Sequence, residues 1–327
     1  MKVVTLGVML LMIAFPAVAQ PLRTVRIGYL GKSSDLTAGE KDFVEELRRR
    51  GWIEGQNLVI ERRYWENQID RLPAQAADLV RLKVDIIVTN TGTAAQVAKK
   101  ITDIIPIVMI SSADAVTQGL AISLARPGGN VTGLTTVSPW VTGKQLELLK
   151  EAFPKASRVA VLSCVVSRAG LIGIGRGLGE RQWNEAQDAA RVPKIQLLRV
   201  LMRGPEETKS ALEMVMRDRA DALFVSDCVT VPAVEFIELA AKSRLPAIYP
   251  NRQFAERGGL MSYGADQSES YRRAAYFVDT ILKGANPADL PVEQPTKFEL
   301  VINLKTARQI GVTIPPEVLM WADEVIK

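Results

Sequence analysis

Small polar residues recur in this chain where short apolar stretches end. Lys32, Ser33, Ser34 and Asp35 follow the first such stretch, Asn90, Thr91, Gly92 and Thr93 another, and Ser111, Ser112 and Asp114 a third. Further on, Ser163 and Cys164, then Ser226 and Asp227, then Tyr249 with Asn251, and finally Tyr263 hold the same position. Hydroxyls, an amide and the free N–H groups of a helix start suit a carboxylate or other anion. Asp114 or Asp227 suits an ammonium. Tyr249 and Tyr263 offer apolar walls with a polar tip. Taken singly, each Ser, Thr or Asp reads first as a helix N-cap. Their recurrence in both halves of the chain is what points to a shared binding site.

That chemistry is recognition, not catalysis. His is 0 in 327 residues, which removes Ser-His-Asp and Cys-His nucleophiles, a His general base and zinc held by His. With 2 Cys a four-thiolate metal site is excluded as well. Gly173, Gly175, Gly177 and Gly179 lack the spacing of a dinucleotide fingerprint and lie too far past their strand; they read as a flexible surface loop. Gly143-Lys144 has neither the preceding P-loop glycine nor the following Ser or Thr. No Gly-x-Ser-x-Gly elbow occurs. Glu45-Glu46 and Glu206-Glu207 read as solvated helix charge. Neither an enzymatic activity nor a cofactor nor a metal is expected. The net charge of +5 is scattered, and no nucleic-acid partner is expected from it.

The elements that must position these residues alternate strand with helix. Strands are predicted at 25–30, 58–62, 85–89, 104–110 and 131–135, with helices at 37–50, 69–82, 94–101 and 116–125. The pattern then restarts, with strands at 159–163, 195–200, 222–225, 247–249 and 260–263 and helices at 143–153, 180–191, 206–218 and 231–243. A helix at 268–282, a strand at 298–303 and a terminal helix at 317–326 follow. Repeated β-α-β units imply α/β architecture, with two doubly wound parallel-sheet lobes covered by helices. In such sheets the ligand lies beyond the carboxyl ends of the strands, where the polar residues fall.

Lys2, the uncharged run from Val3 to Phe15, Pro16 and the Ala17-Val18-Ala19 site form a signal peptide over residues 1–19, with Gln20 first in the mature chain. No later segment approaches a membrane-spanning length. Export to the periplasm is the expectation.

Gly51-Trp52-Ile53-Glu54-Gly55-Gln56-Asn57 resembles a segment of bacterial ABC transporter substrate-binding proteins of the tryptophan/tyrosine-type group. So do Tyr64-Trp65, Asp70-Arg71-Leu72-Pro73, Ile105-Pro106-Ile107-Val108 and the run Arg126-Pro127-Gly128-Gly129-Asn130-Val131-Thr132-Gly133. Leu245-Pro246-Ala247-Ile248-Tyr249, the run from Gly258 to Gly264, and Leu290 to Ala307 continue the match. The resemblance covers nearly all of the mature chain. It implies a type I periplasmic-binding-protein fold with hinge crossovers, a ligand that is an aromatic or branched amino acid, and delivery to an ABC permease in the inner membrane. One stretch departs from it. Where relatives carry an Asn-Pro turn, this chain has Ser163-Cys164-Val165-Val166-Ser167-Arg168 and the glycine-rich run, so ligand identity does not follow.

The expected organisation is a first lobe of residues 20–136 plus 265–290 and a second of residues 137–264 plus 291–327. A monomer would capture a small carboxylate between the lobes. An exported ligand-sensing domain is the alternative; an enzyme on the same fold is a more distant one. Cys164 and Cys228 fall on neighbouring strand ends of the second lobe. Export permits a disulfide between them; two separate small side chains is the other reading.

Overall fold

Nine of the strands below are buried on both faces or nearly so, which is why the sequence shows short continuous apolar runs instead of alternation. The computed structural model describes residues 24–34, 38–66, 68–112, 114–136, 139–164, 174–191, 194–203, 205–227 and 233–327. The expected signal peptide and Cys228, and with it the Cys164–Cys228 pair, lie outside the described residues.

The first lobe runs β1 (Val25–Gly31), α1 (Ala38–Arg49), β2 (Leu58–Tyr64), α2 (Leu72–Arg81), β3 (Ile86–Thr89), α3 (Gly92–Ile101), β4 (Ile107–Met109) and β5 (Val131–Gly133). The second runs α4 (Pro139–Ala152), β6 (Arg158–Cys164), α5 (Ile174–Ala190), β7 (Gln196–Met202), α6 (Thr208–Arg217), β8 (Ala222–Val225), α7 (Ala233–Lys242), β9 (Ala247–Tyr249), α8 (Arg252–Glu256) and β10 (Met261–Ala265). After them come α9 (Gln267–Leu282), β11 (Phe298–Asn303), α10 (Leu304–Ile310), α11 (Pro316–Met320) and β12 (Glu324–Ile326).

Both sheets carry the doubly wound order. The first is β2-β1-β3-β4-β5, parallel throughout. The second is β7-β6-β8-β9-β10, parallel, extended by β11 antiparallel to β10 and by β12 parallel to β11. Each sheet is sandwiched by helices. On one face of the first, Ile27, Tyr29 and Val88 pack against Phe43 and Leu47 of α1 and Phe277 and Val278 of α9. On the other, Ile87 and Met109 meet Leu79 of α2 and Ala95 of α3. Fully burying each Leu or Ile contributes about 1.5–3 kcal/mol. The second sheet has the same two-sided burial, with Leu149, Ala186 and Ile310 on one face and Leu212, Phe236 and Phe254 on the other.

Three expectations are corrected. Residues 116–125 form turns, not a helix. Asp114 Oδ1 accepts the Val116 and Thr117 N–H groups at 3.1 and 3.0 Å, and Gly119 takes a φ of 67°, which a right-handed helix cannot contain. The glycine-rich run is not a loop throughout, because α5 begins at Ile174. The terminal helix stops at Met320. Asp323 N donates to Leu300 O at 2.9 Å and its carboxylate accepts Leu300 N at 2.8 Å, which turns the tail into β12.

The chain passes between lobes in three segments that lie side by side. Glu293 N donates to Gly133 O at 2.9 Å, Thr135 N to Glu293 O at 2.9 Å, and Asp266 N to Lys297 O at 3.0 Å. Paired charges flank them, with Arg273 Nε to Glu293 at 2.6 Å and Lys297 Nζ to Asp266 at 2.8 Å. A recess of about 440 Å³ opens here between Leu134, Asp266, Arg273 and Lys297. Val292 belongs to the first lobe's core, and Phe298 opens β11 in the second.

Candidate functional site

The carboxyl end of β3 feeds directly into α3. Thr91 is its N-cap, and its hydroxyl accepts the Ala94 N–H at 3.2 Å. Thr93 is half-buried in the first turn, and the half-buried Asn90 keeps its Oδ1 buried with no hydrogen bond from the described residues. Gly92 was expected to open the helix start to an anion. Instead, a Cβ there would lie 2.5 Å from Gln118 Oε1 and 3.0 Å from Ser112 Oγ. The buried Ser112 hydroxyl donates to that same Gln118 oxygen at 2.7 Å. The space over Gly92 is packed, and Ser112 serves the packing.

After β1, Ser33 is half-buried and Ser34 is exposed, with Ser34 N donating to Glu66 Oε1 at 2.9 Å. Lys32, between them and the strand, carries a partly buried ammonium that makes no ion pair among the described residues. Burial lowers its pKa, and the charge of Arg257 lowers it further. Lys32 belongs to the strand-end polar pattern, but its position in the sequence does not show that it lacks a carboxylate partner.

In the second lobe Ser163 is buried within β6. Cys164 ends that strand. The Ser226 hydroxyl donates to Leu162 O at 2.7 Å, which ties β8 to β6. Asp227 is different. Its side chain is exposed at the end of β8. Gln182 of α5 holds it twice: Gln182 Nε2 donates to Asp227 Oδ2 at 3.1 Å, and Asp227 N donates to Gln182 Oε1 at 3.2 Å. Burial pushes its carboxyl up to about 6, against the opposing pull of Arg181.

Asp114, the other carboxylate expected to take an ammonium, is already occupied. Besides its two backbone N–H groups it accepts the Thr117 hydroxyl at 2.8 Å, and Arg181 Nη1 stands 3.5 Å from its Oδ2. That ion pair crosses from the first lobe to α5 of the second. Arg181 also lies 3.4 Å from Glu185 one turn on, and Glu185 accepts the Thr142 hydroxyl at 2.8 Å. Arg181 and Gln182 were missed because the sequence shows them only as polar positions in an amphipathic helix.

Tyr249 does not wall a cleft as expected. Tyr249 is buried in the second lobe's core, stacked on Phe254 with centroids 5.1 Å apart and edge-on to Phe236. All three residues of β9 are buried, so neither face is free for a ligand. Tyr263 packs on Phe298 at 6.0 Å and beside Trp140 at 6.4 Å, an aromatic cluster next to the crossovers. A separate recess of about 530 Å³ between Trp183, Gln187, Arg191 and Leu197 sits at the outer edge strand, away from the strand ends.

Among the described residues no group of three or more metal-binding side chains occurs, and no helix is long and apolar enough to cross a membrane.

The family model for ABC transporter substrate binding proteins matches residues 33–326. A tyrosine-binding protein of Clostridioides difficile is 26% identical over 290 residues, covering 88% of this chain and 81% of the relative. The crystal structure of an ABC domain from Streptococcus pneumonia in complex with L-Trp superposes with a TM-score of 0.80 at 25% identity, covering 93% of this chain and 100% of that one. A conserved domain protein of Vibrio cholerae gives a TM-score of 0.82, also at 25% identity and the same coverage. The chain belongs to the ABC transporter substrate-binding protein family, and its two parallel α/β lobes have the type I periplasmic-binding-protein fold.

Proposed function

We propose that the protein is exported through a cleaved signal over residues 1–19, binds an amino acid as a monomer in the periplasm, and delivers it to an ABC permease in the inner membrane. The first lobe takes residues 20–136 and the returning helix α9, and the second takes α4 through β10 together with β11 through β12. Binding makes and breaks no covalent bond; the lobes close on the ligand because it contacts both at once.

The observation that carries this reading is the charge left over at the strand ends. Asp227 meets no cation at ion-pair distance among the described residues, and Lys32 meets no anion there. An amino-acid zwitterion supplies both complements, its ammonium for Asp227 and its carboxylate for Lys32. Asn90 Oδ1 can accept from the same ammonium, relieving an unsatisfied buried acceptor that costs about 1–3 kcal/mol. The tyrosine-binding relative and the L-Trp complex support an aromatic side chain.

Mass spectrometry of the small molecule released from denatured protein tests the reading. An amino acid is expected, and a sugar or nucleoside would refute it. Small-angle scattering should show compaction at saturating ligand. Lys32→Met should weaken amino-acid binding roughly 10-fold or more by removing a charge-assisted hydrogen bond. Its melting temperature should hold or rise, because no ion pair is lost. A lowered melting temperature with unchanged affinity would make Lys32 a structural residue only.

A further inference from the structure

The first two turns of α5 after Glu180 combine one contact to the other lobe with several inside their own. Arg181 reaches Asp114 of the first lobe at 3.5 Å, and Gln182, the next residue, makes both hydrogen bonds to Asp227. Gln182 is buried, at 5% exposure, so its amide has no solvent alternative and its orientation is fixed by those two bonds. Glu185 adds a lateral hold through Arg181 and Thr142. Asp114 is itself rigid, because three local donors fix its carboxylate. A short chain of contacts thus runs from the first lobe through one helical turn to the ionisable group at the end of β8.

We propose that Arg181 and Gln182 couple closure of the lobes to the positioning of Asp227: Arg181 tethers α5 to Asp114 across the cleft, and Gln182 on the same turn sets the place and orientation of the carboxylate. Both are positioning residues. Opening the cleft breaks the tether and frees α5 to shift within its own lobe, carrying Gln182 and its grip on Asp227 with it. Closing pins α5 to the first lobe again and steadies that grip. The ligand therefore meets an ordered Asp227 only in the closed form, and the closed form has a contact of its own before ligand arrives. The inference rests on the reading of Asp227 as the ammonium partner, but its test needs no ligand.

The charged groups that bear on Asp227 are Arg181, which favours the ionised form, and Glu185, which opposes it; the Gln182 amide also favours the ionised form. Carbon-13 NMR of aspartate carboxyls, with Asp227→Asn for assignment, follows this titration in unliganded protein. Scattering on the same samples follows closure. Arg181→Ala is expected to enlarge the radius of gyration and to raise the Asp227 midpoint. Asp114→Asn should enlarge the radius similarly, and the double variant should add nothing further, since both remove one pair. Arg181→Lys should restore both readouts in part. Gln182→Leu should raise the midpoint while leaving the radius near wild type.

An unchanged radius and midpoint in Arg181→Ala, in protein with a wild-type circular dichroism spectrum, would overturn the proposal. Additive effects of Arg181→Ala and Asp114→Asn on the radius would do the same. Were Arg181→Ala to misfold, Arg181→Lys and Asp114→Asn keep the comparison decisive. If these readouts behave as expected while no amino acid binds, the coupling stands and the functional reading falls. If amino acids bind with wild-type affinity and pH profile to Arg181→Ala, the coupling falls and the reading stands.

Discussion

Asp227→Asn should weaken amino-acid binding by at least about 30-fold. Losing one member of a charge pair that the ligand desolvates costs about 2–5 kcal/mol, and because Asp227 is exposed in the unliganded protein the low end of that range is expected. The substitution is nearly isosteric, and Gln182 can still donate to the remaining carbonyl oxygen, so the fold should hold. The pH dependence identifies the group. Asp227 has its carboxyl pushed from an ordinary 3.8 to about 6, burial being the largest cause. An ammonium binds the ionised form, so wild-type affinity should fall as pH drops through about 6, and binding below that pH should release a proton to solvent. Stability moves the opposite way. The native state binds this proton more tightly than the unfolded chain, so the group's contribution is full below the ordinary value and is lost as pH rises through about 6. Asp227→Asn should flatten both slopes. Calorimetry across that interval gives the answer, and an affinity within threefold of wild type, or a slope that survives the substitution, would show that the ammonium is held elsewhere.

The architecture was legible because a parallel strand buried on both faces must be a short apolar run, and a helix between two such strands must be amphipathic. Both sheets follow from those two periodicities, whereas the return of α9 to the first lobe was legible only through the crossovers that the family resemblance implies. The errors lie where side chains override local pattern. Residues 116–125 have helical spacing, but Asp114 captures the N–H groups that would begin the helix. The tail at 317–326 has it too, but a paired edge beside β11 is the stronger attraction, and Asp323 fixes the register. Residue type and strand-end position singled out Asn90, Thr91, Asp114 and Asp227 as candidates. They could not distinguish a carboxylate already occupied, Asp114, from one still open, Asp227, because the occupant Arg181 is 67 residues away on the other lobe. Tyr249 was misread for a related reason: being at the end of a strand says nothing about which way a ring turns, and Phe236 and Phe254 hold it inward.

Gly133→Ala should be among the most damaging single-methyl additions in the molecule. Gly133 closes both β5 and the Arg126-to-Gly133 run that resembles the family segment. Its φ is 122°, a conformation that costs a side-chain-bearing residue about 1–3 kcal/mol. A Cβ there would overlap the Met109 carbonyl oxygen and lie 2.6 Å from the Met109 nitrogen. Those atoms are backbone of β4, the strand paired with it, and cannot rotate aside. Relieving such overpacking costs typically a further 1–3 kcal/mol. The total is about 3 kcal/mol or more, a melting-point fall of roughly 6–12 °C on the scale for larger domains. Gly119→Ala is the matched control. Its φ of 67° is also positive, but nothing lies within 4 Å of its Cβ, so only the smaller conformational cost should appear, about 1 kcal/mol. Gly133 O also accepts the Glu293 N–H from the returning crossover. Displacing β5 should therefore loosen the junction between lobes, and the variant should lose ligand-induced compaction as well as stability. Thermal melts of the two alanine variants side by side separate the explanations: equal losses would mean that backbone conformation alone demands glycine at Gly133, and a Gly133→Ala protein melting within a degree of wild type would mean that the β4–β5 approach is not as close as drawn.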